Sequence, residues 1–296
     1  MTDAHHHLCA LSRASYPWLE GPRVERYHGD DFPLRRDYLL ADYRADAEEL
    51  HPLGARLTGS VHVENGAADP RWESSWIDGV IAENHLPSVQ VVKVDLAAAD
   101  ARHQLAAHAA LPSVRGVRDI LNWHADPVLT HRDRNHLMED PAWLDGFSAL
   151  AEHGLSFDLQ VFPHQLAEAA ALAASHPAVP ITVDHAAMPI ERDADALDRW
   201  KVELGRVAAC PNTTVKISAL GTNDHHWSLD SIRRIVLDTI DVFGPSRSMI
   251  GSNFPVDGLY SSFGALYGAF DAITAHFTQA ERVDLFGGTA RRFYRI

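Results

Sequence analysis

The sequence predicts an α/β fold: a closed (β/α)8 TIM barrel, built as a single domain over residues 1–296. Three observations carry this expectation. Short apolar, β-branched segments recur eight times along the chain. Helical periodicity fills the gaps between them, which is the signature of parallel βαβ units. The chain has 296 residues and is 46% hydrophobic, a length that α/β barrels routinely reach as one domain. The count of eight favours closure over an open doubly wound sheet.

The elements follow in order. Residues 2–8 (TDAHHHL) read as the first strand. The stretch 9–36 is too long for a plain connection and is rich in Pro, Gly, Arg and aromatic residues, so it is expected to shape a functional surface. A helix is expected at 37–50, then strands near 58–65, 89–96, 114–121 and 155–161, with helices at 74–85, 101–111 and 141–154 between them. Strands near 180–186, 213–220 and 248–255 alternate with helices at 164–177, 195–210 and 229–244. The last helices fall at 262–276 and 279–287. Apolar residues in the helical pieces recur at i, i+3 and i+4.

Composition excludes several classes. Lys and Arg number 26 against 40 Asp and Glu, a net charge of −14. Such a chain repels phosphate backbones and anionic membranes, so the expected partner is a small-molecule substrate, with no nucleic acid and no membrane. Assembly as a homo-oligomer stays open. Two cysteines, Cys9 and Cys210, give no disulfide framework. No run approaches the ~18 apolar residues of a membrane span, and no signal peptide is visible, so a cytoplasmic location is expected.

Barrel enzymes place their active residues at the C-terminal ends of strands. Side chains alternate across a strand, so His5 and His7 share one face and His6 takes the other. Two imidazoles aimed at one point make half a metal site. Asp3 has the same parity and could orient a histidine. The fourth strand carries Arg118, whose fork suits a carboxylate-bearing ligand or a structural ion pair. His124 follows it. The fifth strand supplies Asp158 and Gln160, with His164 opening the next helix as a substrate contact or a cap. Asp184-His185 stands where the apolar sixth strand stops, and His185 is the natural third partner for His5 and His7. Lys216 lies inside the apolar seventh strand, where it must pair with a carboxylate or lose its proton. The loop "TNDHHW" after it could line the mouth. Asn253, in "IGSNFP", enters the site from the eighth strand.

Taken together, "DAHHHL", "RGVRDIL", "LSFDLQVFPHQL", "VDHAAMP", "VKISAL", "IGSNFPVDGL" and "GGTARRFYRI" resemble the amidohydrolase-2 group of TIM-barrel metal-dependent hydrolases. The resemblance spans the chain and lies closest to the sugar-lactone and 2-pyrone-4,6-dicarboxylate lactonase branch. It implies a metal or substrate site built from His5, His7 and His185. It implies a hydrolase that opens the ester of a small polar or acidic lactone by water attack, with Asn253, His185 and His124 as catalytic candidates. Arg118, Lys216, Gln160 and His164 are the substrate-binding candidates. In most relatives the strand-eight residue is an aspartate that activates water; here it is Asn253, and an amide cannot usefully accept a proton. The expected cofactor is therefore a divalent metal, zinc if any, with metal-free catalysis as the alternative. A decarboxylase or other lyase on a small carboxylic acid, and a lapsed ligand-binding barrel, are the rival readings.

Overall fold

The computed structural model describes residues 1–23 and 26–296. Eight parallel strands stand side by side in chain order. They are β1 (Thr2–His6), β2 (Gly59–Val63), β3 (Val89–Lys93), β4 (Val114–Ile120), β5 (Ser156–Gln160), β6 (Ile181–Val183), β7 (Thr213–Ile217) and β8 (Ser248–Ile250). The helices between them are α1 (Leu40–Ala47), α2 (Pro70–Asn84), α3 (Ala101–Ala109), α4 (Pro141–Ser148), α5 (Leu166–Ser175), α6 (Ala194–Ala208) and α7 (Leu229–Phe243). After β8 come α8 (Phe263–Ile273), α9 (Gln279–Val283) and α10 (Thr289–Tyr294). This is the expected alternation of a (β/α)8 barrel.

Local chemistry starts and seats the helices. Asp69 accepts hydrogen bonds from the Arg71 and Trp72 amides at the head of α2, with Pro70 at the first helical position. Asp140 and Pro141 repeat the arrangement at α4. Along α6, Leu197, Trp200, Leu204 and Val207 are buried, spaced three and four apart, and face the barrel wall. Ile232, Ile235, Val236, Ile240 and Phe243 do the same on α7. Each fully buried side chain of this kind contributes about 1.5–3 kcal/mol of transfer free energy.

Seven strand pairs share parallel ladders, with a register shift in β1–β2 and in β3–β4; the eighth seam, between β8 and β1, closes just beyond them. The Asn253 amide donates to the His5 carbonyl (2.7 Å) and the His7 amide to the Phe254 carbonyl (2.8 Å). Gly251 permits this approach, because a Cβ there would stand 2.8 Å from the His5 Cβ. Asp3 reinforces the seam by accepting from the Ser252 amide (2.8 Å), the Ser252 hydroxyl (2.6 Å) and the His5 amide (3.2 Å). It therefore fixes the His5 backbone, not an imidazole ring as the strand parity suggested.

Several strands end earlier than the apolar patterns imply. β6 stops at Val183, so Asp184 and His185 lie in the single turn that follows. His7 is one residue past β1 and Asn253 three past β8. Polar residues at these positions leave the ladder because they turn over the barrel mouth. At the other end, helix α10, which the glycine pair at 287–288 obscured in the sequence, closes the floor. Its Tyr294 is buried with Ala4, Val61, Val63, Val89, Val91 and Met249 inside the barrel. No helix among the described residues is long and apolar enough to cross a membrane.

Candidate active site

A cavity of about 780 Å³ opens at the C-terminal mouth. His7, Glu64, Arg118, Gln160, His185, Met188 and Asn253 line its floor and walls, with Trp18, Arg26, Tyr27, His28, Lys93 and His131 around them. The 9–36 loop supplies Trp18, Arg26, Tyr27 and His28. It is tied down by a bond from Trp18 Nε1 to the Asn65 carbonyl (2.7 Å) and by Tyr260 Oη donating to the His28 carbonyl (2.7 Å). Two residues of this loop, 24 and 25, lie outside the described residues. From the "TNDHHW" segment, Thr222 reaches the cavity, while His225 stacks on Tyr260 with ring centres 4.2 Å apart.

Three imidazoles meet at the cavity floor. The His5 ring lies 5.0 Å from that of His7 and 4.6 Å from that of His185, centre to centre. Their Nδ1 atoms are all engaged by the protein. His7 Nδ1 donates to the Val63 carbonyl (2.8 Å), and His185 Nδ1 lies 2.8 Å from the Ser218 hydroxyl. His5 Nδ1 lies 3.2 Å from Lys216 Nζ and 3.6 Å from Asp184 Oδ1. His5 Nε2 is buried without a hydrogen-bond partner, and His7 Nε2 faces the Asn253 side chain at 3.3 Å. Anchoring one ring nitrogen so that the other is presented is how proteins prepare metal-ligating histidines. His6, on the opposite face, stacks on Tyr43 and bonds Ser60, serving the fold instead.

His185 is presented by a turn of unusual backbone. His185, Ala186, Ala187 and Met188 all have positive φ, between 48° and 59°. Each such L-residue costs roughly 1–2 kcal/mol, so the turn needs outside support. Trp200 of α6 provides some, donating from its indole to the Ala186 carbonyl at 2.8 Å. Asn253 also has positive φ, 57°, a conformation that asparagine tolerates better than most residues.

Electrostatics keep the histidines neutral. Burial, aided by the Arg118 charge, pulls His7 down to about 3. Burial also brings His185 to about 3 against the attraction of Asp184. Burial and then Lys216 hold His5 well below the usual imidazole value. Neutral rings carry the lone pairs that a metal or a proton needs. For Asp184 burial acts upward, but Lys216 and His5 outweigh it and hold the carboxyl well below its ordinary range. Both Asp184 oxygens lack a hydrogen-bond partner.

The donor set fits a divalent cation. His5, Asp184 and His185 each offer a ligand atom within 4.8 Å of the others, all three buried. The expected trio of His5, His7 and His185 thus gains Asp184 as a neighbour. His7, beside the set, turns toward Asn253.

The remaining candidates divide. Arg118 and Gln160 line the cavity. Arg118 Nε and Nη2 donate to the side chain and carbonyl of Glu64 (both 2.7 Å), a partner one residue past β2 that sequence reasoning overlooked. Lys216 does not line the cavity. It is wholly buried beneath the histidines, 2.5 Å from Asp158 and 3.2 Å from Asp184. Tyr294 Oη donates to both Asp158 oxygens (2.9 and 2.8 Å), completing a polar column from the barrel floor to His5. Lys216 therefore supports the site from below and stands away from any ligand. His124 and His164 lie outside the mouth cavity and flank another of about 940 Å³, beside Phe162 and Trp200. The strand-end rule could not tell the inside of the barrel from its rim.

A model of the amidohydrolase family matches residues 2–296. The protein y4mH of Sinorhizobium fredii, described as uncharacterized, is 34% identical over 99% of this chain and 98% of its own. An L-fucono-1,5-lactonase of Burkholderia ambifaria is 29% identical over 99% of this chain and 95% of its own. The crystal structure of an amidohydrolase from Burkholderia multivorans with bound zinc superimposes with a TM-score of 0.80 at 28% identity, covering 100% of this chain and 99% of that one.

Proposed function

The chain belongs to the amidohydrolase family, and on that premise we propose that it hydrolyses the ester of a small, polar, acidic lactone at the mouth of the barrel. The observation that carries this reading is the set of anchored, neutral imidazoles opening onto a cavity that also holds Arg118 and Asn253. The likeness to an L-fucono-1,5-lactonase supports the lactone.

His5, Asp184 and His185, with His7 beside them, would hold a divalent cation, and zinc is the reading favoured by imidazole and carboxylate donors. When bound, such a cation polarises an ester carbonyl and makes water a nucleophile near neutral pH.

The chain's own groups do the rest. Arg118 Nη1 makes no hydrogen bond to a described residue and is free for a ligand oxygen. Lys93, on the same wall, pairs with no carboxylate among the described residues and adds a second positive charge. Together they select an acidic substrate and hold its carboxylate. Gln160 and Tyr27 offer hydrogen bonds to ring hydroxyls. Water attacks the carbonyl carbon, the ring C–O bond breaks, and the alkoxide leaving group takes up a proton. The neutral Nε2 of His7, or that of His185 where no metal occupies it, can accept the proton released by the water; the Asn253 amide can only hold an oxygen in place.

The test is a pH-indicator screen of tag-free protein against lactones that carry a free carboxylate and neutral lactones, paired with metal analysis. Acid release on acidic lactones is the expected result. Carbon dioxide release from aromatic acids without lactone turnover would support the lyase reading, and tight binding without turnover the lapsed barrel.

A further inference from the structure

The chain returns a carboxyl group to the site four residues after Asn253. Asp257 opens a single helical turn (Asp257–Leu259) and its amide donates to the Asn253 carbonyl at 3.1 Å. The residue is 1% exposed. Its carboxyl faces the Asn253 amide, with the backbone of Ala219 and Gly221 beside it. Neither oxygen makes a hydrogen bond of ordinary geometry to a described residue. The cation that faces it from the neighbouring turn, Arg192, is engaged by Asp224 (3.1 Å) and the Leu220 carbonyl (3.0 Å). The Asp257 charge also reaches the Tyr27 phenol of the 9–36 loop and raises it slightly.

A carboxylate buried without an ion pair or hydrogen bonds is far costlier than the neutral acid. Burial pushes the Asp257 carboxyl up to about 8, outweighing the Asn253 side chain, the Ala219 and Gly221 amides and Arg192, which act downward. As placed, the Asn253 side chain turns its NH2 end to Asp257 and its oxygen to His7, whereas a neutral acid has one O–H to donate, which an NH2 group cannot accept. On the other side of Asn253, His7 gives its Nδ1 proton to the Val63 carbonyl, so its Nε2 is an acceptor. An amide oxygen held 3.3 Å from that Nε2 sets two acceptors against each other. Exchanging the two ends of the amide resolves both contacts, and amide orientation is fixed only by such networks.

We propose that Asp257 is a positioning residue that binds the Asn253 carbonyl oxygen through its carboxylic O–H and so turns the Asn253 NH2 group toward His7 and the cavity. Asn253 then becomes a hydrogen-bond donor. During lactone opening it donates to the oxygen that gains negative charge as water adds to the carbonyl carbon, a task for which preorganised donors are effective. One aspartate that takes a proton is replaced by two residues that supply a hydrogen bond. This role rests on the lactone-hydrolase reading; the protonation and orientation of Asp257 do not.

Two variants test the proposal. Asp257→Asn keeps an N–H donor for the Asn253 oxygen, and Asp257→Leu removes it. On a lactone substrate, Asp257→Asn is expected to keep kcat within about threefold, and Asp257→Leu to lower kcat by about 10- to 100-fold with little change in KM, the range seen when a single oriented donor is lost. Equal loss in both variants would overturn the proposal, because it would mean that the carboxylate itself is required. A second readout needs no substrate. The neutral acid makes wild-type stability fall as pH rises toward 8, and Asp257→Asn should lose that component of the fall. An unchanged pH slope would show Asp257 already ionised and overturn the proposal. Absence of lactone turnover with the expected pH slope would overturn the lactone reading alone.

Discussion

Lys216 Nζ stands 2.5 Å from Asp158 Oδ2 at the centre of the barrel, and neither side chain has any exposed surface. The pair links the Tyr294 hydroxyl below to Asp184 and His5 above. The candidate site therefore rests on a buried polar column that begins at the C-terminal helix.

Removing one member of a buried charged network leaves the others uncompensated, at about 3–5 kcal/mol. Lys216→Met is expected to destabilise the fold by that order, read as a lower urea midpoint with an unchanged slope. The Lys216→Met, Asp158→Leu pair should recover part of the loss. A midpoint within error of the parent for Lys216→Met alone would show that the column carries no structural load.

Ser218 acts on the site at one remove. Its hydroxyl meets His185 Nδ1 at 2.8 Å and fixes which ring nitrogen faces the cavity. Loss of such a partner typically lowers metal affinity about 10- to 100-fold. Ser218→Ala should weaken zinc binding by that factor in a chelator competition, with the thermal midpoint of the metal-stripped protein little changed. Equal affinity in the two proteins would remove His185 from the ligand set.

Arg118 tests the acidic-substrate reading. It binds Glu64 with Nε and Nη2 and leaves Nη1 for a ligand. Arg118→Lys keeps the charge but loses the fork. A hydrogen bond to a charged group is worth about 1.5–3 kcal/mol, so KM for an acidic lactone should rise about 10- to 100-fold. KM for a neutral lactone of the same ring size should move much less. Similar shifts for both substrates would mean that Arg118 does not read the carboxylate.

What the sequence disclosed follows physical range. Strand parity alone pairs His5 with His7, and an apolar run ending in Asp184-His185 marks the third histidine. Both are local patterns. The left-handed turn that aims His185 is not local, since it depends on Trp200 from α6. Glu64 carried a signal, a charge closing an apolar strand, but its partner Arg118 is 54 residues away. Lys216 announced a buried charge without revealing whether a ligand or Asp158 would satisfy it. His124 and His164 each lie four residues past their strands, and the loops carry them to the rim. Asp257 stands in "IGSNFPVDGL" with nothing to single it out, because its role depends on an amide four residues back and on the closed β8–β1 seam.

Stability should also report the buried titratable groups. His7, His62 and His185 are pulled down to about 3, chiefly by burial. In the unfolded chain each takes up a proton near its ordinary value of 6.5, so their stabilisation is complete above that value and is lost as pH falls from there toward 3. Glu73 and Asp257 behave oppositely: burial raises both to about 8. Their stabilisation is complete below their unfolded values of 4.5 and 3.8 and is lost as pH rises toward 8. Between 4.5 and 6.5 the lowered histidines, with His5, His6, His28 and His108 among them, outnumber the raised acids Glu73, Asp158 and Asp257, and stability climbs with pH. Above that the raised acids act, and it declines; below about 4 the histidines act together with Glu64 and Asp184, whose carboxyls are held low, and it falls steeply, by up to about 1.4 kcal/mol per pH unit for each group. Thermal midpoints of the metal-stripped protein should therefore peak near pH 6.5. A midpoint still rising between pH 6.5 and 8 would show that Glu73 and Asp257 are already ionised in the folded chain.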